Sequence, residues 1–252
     1  MDAIFLSDAH IRTHDDPNLP PLLAFLEHAR GTERLFIVGD LFDTWFALRR
    51  AVFEEYVPLL GALDALRRSG TAITYVTGNH DFEMGRFFTE ILGADVRDTE
   101  MTLEEDERRA FVAHGDMANP ADKKYRRLRR ILRSGPVRWL GRNLPPAWVW
   151  AIAQHMTEHY TGEEIARRMP MAEIFRSYAG TKHADGCDTV ILGHLHIPAL
   201  EESGDPARTY VNLGDWMRHR TFLRWRAGRL ELLKWEWPEG QETAFEQPRT
   251  EN

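Results

Sequence analysis

Residues 188–198 read DTVILGHLHIP. A short apolar run rich in β-branched residues and bounded by polar ones is the pattern of a strand buried on both faces. Gly193 ends the run, and His194 and His196 follow one residue apart. Side chains alternate along a strand, so the two rings would stand side by side at its end. The pattern recurs in AIFLSD (3–8), RLFIVGD (34–40), AITYVTGN (72–79), RAFVAHGD (109–116) and TYVNLGD (209–215). Helical segments separate the early runs. PPLLAFLEHAR (20–30) opens on prolines, and FEEYVPLLGALDALRRSG (53–70) closes on a glycine cap. Such alternation predicts an α/β fold of parallel strands with helices outside.

The chemistry gathers where these runs end. SDAH supplies Asp8 and His10, GDLFD supplies Asp40, and GNHD supplies Asn79, His80 and Asp81. HGD supplies His114 and Asp116, and GHLH supplies His194 and His196. In open α/β sheets ligands bind beyond the carboxyl ends of the strands, so parallel strands would bring all these groups to one edge. One histidine in such a place is usually a hydrogen-bonded core residue, and GNHD alone could be a tight turn. Five such coincidences at equivalent positions are not expected by chance. Mixed Asp, Asn and His donors suit Mn²⁺, Fe²⁺, Zn²⁺ or Ni²⁺ rather than a soft thiolate-bound metal. Asp8, His10, Asp40, Asn79, His114, His194 and His196 are too many for one ion with open positions but suit two. A carboxylate shared between ions roughly 3.5–4 Å apart is the arrangement of hydrolytic phosphoryl transfer, and Asp40 is the natural bridge.

The ordered series D-x-H, GD-x-x-D, GNHD, HGD and GH-x-H, spanning residues 8–196, resembles the calcineurin-like metallophosphoesterase superfamily. That resemblance implies a two-sheet sandwich flanked by helices and two divalent ions, Mn²⁺ foremost, with Fe²⁺ or Zn²⁺ as alternatives. It implies one ion on Asp8, His10, Asp40 and His196, and the other on Asp40, Asn79, His114 and His194. It also implies that His80, paired with Asp81, protonates the leaving group or stabilises the transition state. SDAHI, GDLFDTWF, the Asp122 and Tyr125 that follow HGD, and VNLGDW (211–216) resemble one group more closely. These are the UDP-2,3-diacylglucosamine pyrophosphatases of lipid A biosynthesis, which release UMP and 2,3-diacylglucosamine 1-phosphate. By that resemblance Asn79, His80, Asp122 and Tyr125 contact the substrate, and a helical lid covers its acyl chains. This chain has His80 where that group has arginine, and FALRR (46–50) where the group is acidic.

Composition sets outer bounds. The 252 residues, 43% hydrophobic and 28% charged, describe an ordinary globular chain, and the single Cys187 fits a reducing compartment. No run of 18 apolar residues occurs, and MDAIFLSDAH reads as a first strand rather than a signal peptide, which points to the cytoplasm. Residues 1–237 are expected to form the metallophosphoesterase domain, with an α-helical insertion at about 117–187 and a disordered polar tail at 238–252. The net charge of −7 argues against nucleic acid as a partner. Yet nine Lys/Arg and no Asp or Glu lie between Lys123 and Arg142. Interleaved with Trp139, Trp148 and Trp150, this block (123–150) suits the anionic cytoplasmic face of an inner membrane. Trp45 is read as core or cleft wall, Arg12 and Arg86 as possible phosphate contacts, and His155, His159 and His183 carry no assignment.

Overall fold

The structure, a computed structural model, describes residues 1–48, 51–157, 165–204 and 208–246, with the backbone alone over 153–157 and 165–170. In chain order the first half runs β1 (Asp2–Leu6), α1 (Leu19–His28), β2 (Arg34–Val38), β3 (Trp45–Phe46), α2 (Val57–Arg68), β4 (Ala72–Val76), β5 (Asp81–Glu83), β6 (Asp95–Arg97), β7 (Glu100–Glu105) and β8 (Arg108–Ala113). Four helices follow: α3 (Lys123–Leu132), α4 (Gly135–Asn143), α5 (Pro146–Thr157) and α6 (Ile165–Ala184). The chain then continues through β9 (Thr189–Leu192), β10 (Ala199–Ser203), β11 (Arg208–Asn212), β12 (Thr221–Arg226), β13 (Arg229–Glu236) and β14 (Gln241–Ala244).

Two sheets face each other. One has seven strands in the order β14-β13-β12-β1-β2-β4-β6, and the other has five in the order β10-β11-β9-β8-β7. Strands β1, β2 and β4 are mutually parallel, as are β8, β9 and β11. The period of two explains why these strands read as unbroken apolar runs. Ala3, Phe5, Phe36 and Val38 face the space between the sheets, whereas Ile4, Leu6, Leu35 and Ile37 face the layer of α1 and α2. Across the gap Ala110, Val112, Ile191 and Val211 point inward. Phe111, Val190, Leu192 and Tyr210 point outward, onto Phe175 and Ala179 of α6. Beyond their first one or two residues these strands are therefore buried on both faces, as a helix–sheet–sheet–helix stack requires. Phe5 stacks on Phe36 at 4.3 Å within the central layer.

Helix starts follow local chemistry. Prolines sit in the first turn of α1, α2 and α4, where no intrahelical donor is needed. Asp122 caps α3 by accepting the Tyr125 N–H at 2.9 Å. Among the described residues, no helix is long and apolar enough to cross a membrane.

One expectation changes, and one open reading closes. The tail expected to be disordered from Pro238 carries β14, paired antiparallel with β13. Its composition is polar because it is an edge strand: Glu242 receives both arms of Arg224 at 2.7 Å and faces His28 Nε2 at 3.0 Å. The last six residues, 247–252, lie outside the described residues. Trp45 belongs to the core, 2% exposed, with its indole N–H donating to the Met84 carbonyl at 3.1 Å.

Candidate metal centre

The carboxyl ends of the parallel strands of both sheets meet at one edge. Asp8 and His10 follow β1, Asp40 follows β2, and Asn79 and His80 follow β4. From the facing sheet His114 follows β8, and His194 and His196 follow β9. The turns are stitched together by their backbones. Asp8 N–H donates to Gly39 O at 3.2 Å, His10 N–H to Asp40 O at 3.0 Å, Gly193 N–H to His114 O at 2.9 Å and Trp216 N–H to Asp8 O at 3.1 Å.

Five of the seven residues singled out as ligands have positive φ without being glycine: Asp8 (55°), His10 (46°), Asp40 (55°), His194 (63°) and His196 (58°). Left-handed backbone costs a non-glycine residue energy and persists where surrounding structure imposes it, commonly at functional sites. Here it turns each side chain sharply back over its strand end. Glycine is required where a neighbouring chain must pass close by. A Cβ on Gly193 would fall 2.7 Å from both Asp8 Oδ2 and Ser7 Oγ, and one on Gly78 would lie 2.8 Å from Asp40 Cγ.

The donor atoms converge in two overlapping clusters. In the first, Asp8 Oδ1 lies 3.0 Å from His196 Nε2 and 3.7 Å from His10 Nε2, which is 3.8 Å from Asp40 Oδ2. In the second, His114 Nε2 lies 3.1 Å from Asp40 Oδ2, 3.0 Å from Asn79 Oδ1 and 3.2 Å from His194 Nδ1. One oxygen, Asp40 Oδ2, thus reaches both. The tautomer of His114 follows from its other nitrogen. Nδ1–H donates to the Val38 carbonyl at 2.9 Å, which leaves the Nε2 lone pair facing the cluster.

These residues fit divalent ions on two grounds. Asp8 Oδ1 and His10 Nε2 are buried and make no hydrogen bond, a costly state for groups of this polarity. In addition, imidazole nitrogens, an amide oxygen and a carboxylate oxygen point acceptors at one another, which only a cation or a proton among them resolves. The charges around these groups make the same demand for positive charge. Burial would raise the Asp40 carboxyl, yet His114 and His80 hold it below the usual carboxylate range. Burial would lower His114, but Asp40 and Asp8 overcome it and carry its pKa to about 10. Burial, then the neighbouring His114, pushes His194 down to about 4.

His80 and Asp81 are not the pair expected from the motif. Both oxygens of Asp81 turn inward, Oδ2 accepting the N–H of Asp40 at 2.9 Å and of Gly78 at 2.8 Å, and Oδ1 accepting the Tyr75 hydroxyl at 2.8 Å. Burial and the charge of Asp40 raise its pKa to about 6. Asp81 builds the turn. The His80 ring instead meets the Asp43 carbonyl through Nδ1 at 2.5 Å, and its backbone N–H donates to Asp40 Oδ1 at 2.9 Å. Held so, the ring stands edge-on to His10 with centroids 4.7 Å apart, and one of its nitrogens joins the cluster with His10 and Asp40.

Residues further out divide. Asp122 caps α3, and the Tyr125 hydroxyl donates to Asp116 Oδ2 at 2.5 Å, which binds the helix to the HGD turn. Arg12 reaches Asp43 at 3.6 Å and stays half-exposed, whereas Arg86 is taken by Glu90. His183 receives no catalytic role, since Nδ1 meets Cys187 O at 2.8 Å at the end of α6; the side chains of His155 and His159 lie outside the described residues. The Asp43 carbonyl, Asp116, Arg129 and Arg133 support the centre without having been singled out as site residues. For the arginines, a signal existed in their spacing along one helix face. For a backbone carbonyl none did.

Gly78→Ala is expected to displace the Asp40 carboxylate and lower divalent-ion content at saturating Mn²⁺, measured by plasma mass spectrometry on protein that keeps its native circular dichroism.

Comparison with known proteins agrees with this geometry. A family model described as calcineurin-like phosphoesterase matches residues 1–198. The UDP-2,3-diacylglucosamine hydrolase of Aeromonas salmonicida is 30% identical over 234 residues, covering 88% of this chain and 89% of its own. That of Aeromonas hydrophila is 30% identical over 241 residues, with coverages of 92% and 98%. That of Pseudomonas aeruginosa is 29% identical over 229 residues, with coverages of 86% and 92%. With its strand-end donors brought together between two sheets, the chain belongs to the calcineurin-like phosphoesterase family and is a metal-dependent phosphoester hydrolase.

Proposed function

We propose that the chain hydrolyses UDP-2,3-diacylglucosamine, adding water across the phosphoanhydride to give UMP and 2,3-diacylglucosamine 1-phosphate. The observation that carries this reading is apolar surface beside a phosphate-handling centre. Helices α3, α4 and α5 leave Leu128, Ile131, Leu140 and Ile152 about half exposed, and Trp139 and Trp148 are 65% and 63% exposed. So many large apolar side chains left exposed on three successive helices suit acyl chains. The names of the relatives support the same substrate. In this reading the helices between HGD and β9 act as a lid over the lipid.

Asp8, His10, Asp40 and His196 hold one ion, and Asp40, Asn79, His114 and His194 the other; Mn²⁺ is the ion proposed for both. Such ions lower the pKa of a bound water and neutralise charge on phosphorus oxygens. The protein's own part is orientation. Asp40 is fixed by the His80 backbone N–H so that Oδ2 serves both clusters. The His80 ring, anchored at Nδ1, offers Nε2 to the phosphoryl oxygens or to the departing phosphate. His80→Ala is expected to lower kcat by about 10²-fold or more, with both ions retained, the pattern of a group acting in the transition state.

Lys123, Lys124, Arg127 and Arg130 make no ion pair among the described residues. Together with Trp139 and Trp148 they support a peripheral seat on the anionic cytoplasmic face of the inner membrane, each cation contributing about 1 kcal/mol. Sedimentation with phosphatidylglycerol vesicles should fall as salt rises, whereas equal binding to phosphatidylcholine vesicles would remove the electrostatic part. The substrate itself is tested by incubation with UDP-2,3-diacylglucosamine and Mn²⁺, following UMP by mass spectrometry. Hydrolysis of bis-p-nitrophenyl phosphate without UMP release would instead favour another lipid-linked or soluble nucleotide.

A further inference from the structure

The cations of α3 do not form a single solvated face. Arg126, Arg129 and the C-capping Arg133 recur at i, i+3 and i+7 and point back at the metal centre. Arg126 Nη1 donates to Met117 O at 3.1 Å, and Arg129 Nε to Asp116 Oδ2 at 2.5 Å. Arg133 goes deepest, with its side chain 8% exposed. Its Nη2 donates to Gly78 O at 2.5 Å and Asp81 O at 3.1 Å, the carbonyls at the two ends of the G-N-H-D turn. Its Nη1 donates to Thr77 Oγ1 at 3.1 Å, Asp98 O at 2.6 Å and Asp98 Oδ1 at 3.0 Å.

One guanidinium therefore holds both ends of the segment that carries Asn79 and His80. Packing does not do this instead, because a cavity of about 30 Å³ lies between the turn and α3, bordered by Asn79, Tyr125, Leu128 and Arg129. Burying a cation chiefly against neutral carbonyls is expensive, and a neutral side chain would suffice for an inert tether. Arginine suits the position because its fixed fork can serve several acceptors at once.

The support of the two clusters is asymmetric. Asn79 and His114 are held at the strand ends by Asp81, by Gly193 N–H and by the Val38 carbonyl, but their turns are also propped by α3, one through Arg133 and the other through Asp116 with Tyr125 and Arg129. Asp8 and His10 are held by strand-end backbones through Gly39, Asp40 and Trp216, and the His194 N–H donates to the Asp8 carboxylate, none of them touching α3. We propose that Arg133 is a positioning residue which makes the Asp40–Asn79–His114–His194 pocket depend on the docking of α3, while the Asp8–His10–His196 pocket forms without it. This rests on the two-ion reading above.

The test uses full-length protein stripped by chelator and titrated with Mn²⁺, with bound ions counted after equilibrium dialysis. Arg133→Met and Arg133→Lys are compared with wild type and with Arg176→Met. The last removes a tether between α6 and β10, the pairing of Arg176 with Glu201, away from the turn. Wild type should take two ions. Arg133→Met should keep one tightly and bind the second about tenfold or more weakly, as expected when a ligand's support is removed. With bis-p-nitrophenyl phosphate its kcat should fall by a similar factor at limiting Mn²⁺ and recover at high Mn²⁺, with KM within about twofold. Arg133→Lys, which keeps the charge and spares the fold, should lie between. Arg176→Met should bind both ions as wild type does, whatever its thermal midpoint. Two ions bound with wild-type affinity in the Arg133 variants, or both lost together, would overturn the proposal. A wild type that takes up only one ion would overturn the two-ion reading, and the proposal with it.

Discussion

Two carboxylates, Asp8 and Asp40, are buried side by side at the ends of adjacent parallel strands, and much of the architecture answers to that constraint. Neighbouring strands in a sheet run about 4.8 Å apart, so equivalent strand-end residues on β1 and β2 are neighbours by construction. Neither carboxylate faces a buried arginine or lysine of its own; the partners are histidines. Carboxylates placed this way need external cations, and the imidazoles supply the remaining donors. The left-handed backbone at Asp8, His10, Asp40, His194 and His196 is the local cost of aiming five side chains at so small a volume. The glycines at 78 and 193 keep Cβ atoms out of it.

A single sheet could not complete the centre. Sheet one contributes Asp8, His10, Asp40 and Asn79, and sheet two contributes His114, His194 and His196. The sandwich therefore has to be in register at this edge, and Phe5, Phe36, Val112 and Ile191 in the central layer set that register. The catalytic geometry thus depends on core packing, because interiors are close-packed and transmit strain. This also explains why so much of the site was legible in the sequence. A strand buried on both faces and ending in a turn with metal-competent side chains leaves a local signature, and order along the chain does the rest.

The illegible parts have physical reasons as well. Strands β7 (EMTLEE) and β10 (ALEES) lie at sheet edges, where polar side chains meet water, so they show no apolar run. Strand β14 looked like a disordered tail for the same reason. Two apolar strands also look alike whichever sheet they join, so partition into two sheets was implied by family resemblance and not by periodicity. The family resemblance implied a His80–Asp81 pair, but adjacent residues in a turn diverge. Asp81 faces Tyr75 while His80 faces the Asp43 carbonyl. The basic block was legible only in part. Of its nine cations, Arg126, Arg129, Arg133, Arg138 and Arg142 are bonded to the body of the protein, and composition cannot separate a docking arginine from a solvated one.

The histidine at position 80, where the family resemblance implies arginine, fits this picture of a centre dominated by charge placement. A leaving phosphate has a second pKa of about 6, so expelling it at neutral pH demands little proton transfer. What the departing group requires is a donor directed at developing negative charge, and such preorganised electrostatics usually outweighs acid catalysis. Because His80 Nδ1 is committed to the Asp43 carbonyl, its Nε2 donates only from the protonated ring; an arginine would present a fork of donors from the same turn at any pH. The two side chains therefore differ in the number and angle of hydrogen bonds and in whether a proton must first be taken up. For the proposed diphosphate substrate, the exchange would alter how its second phosphate is gripped, while the strand-end clusters keep the positions that the fold gives them.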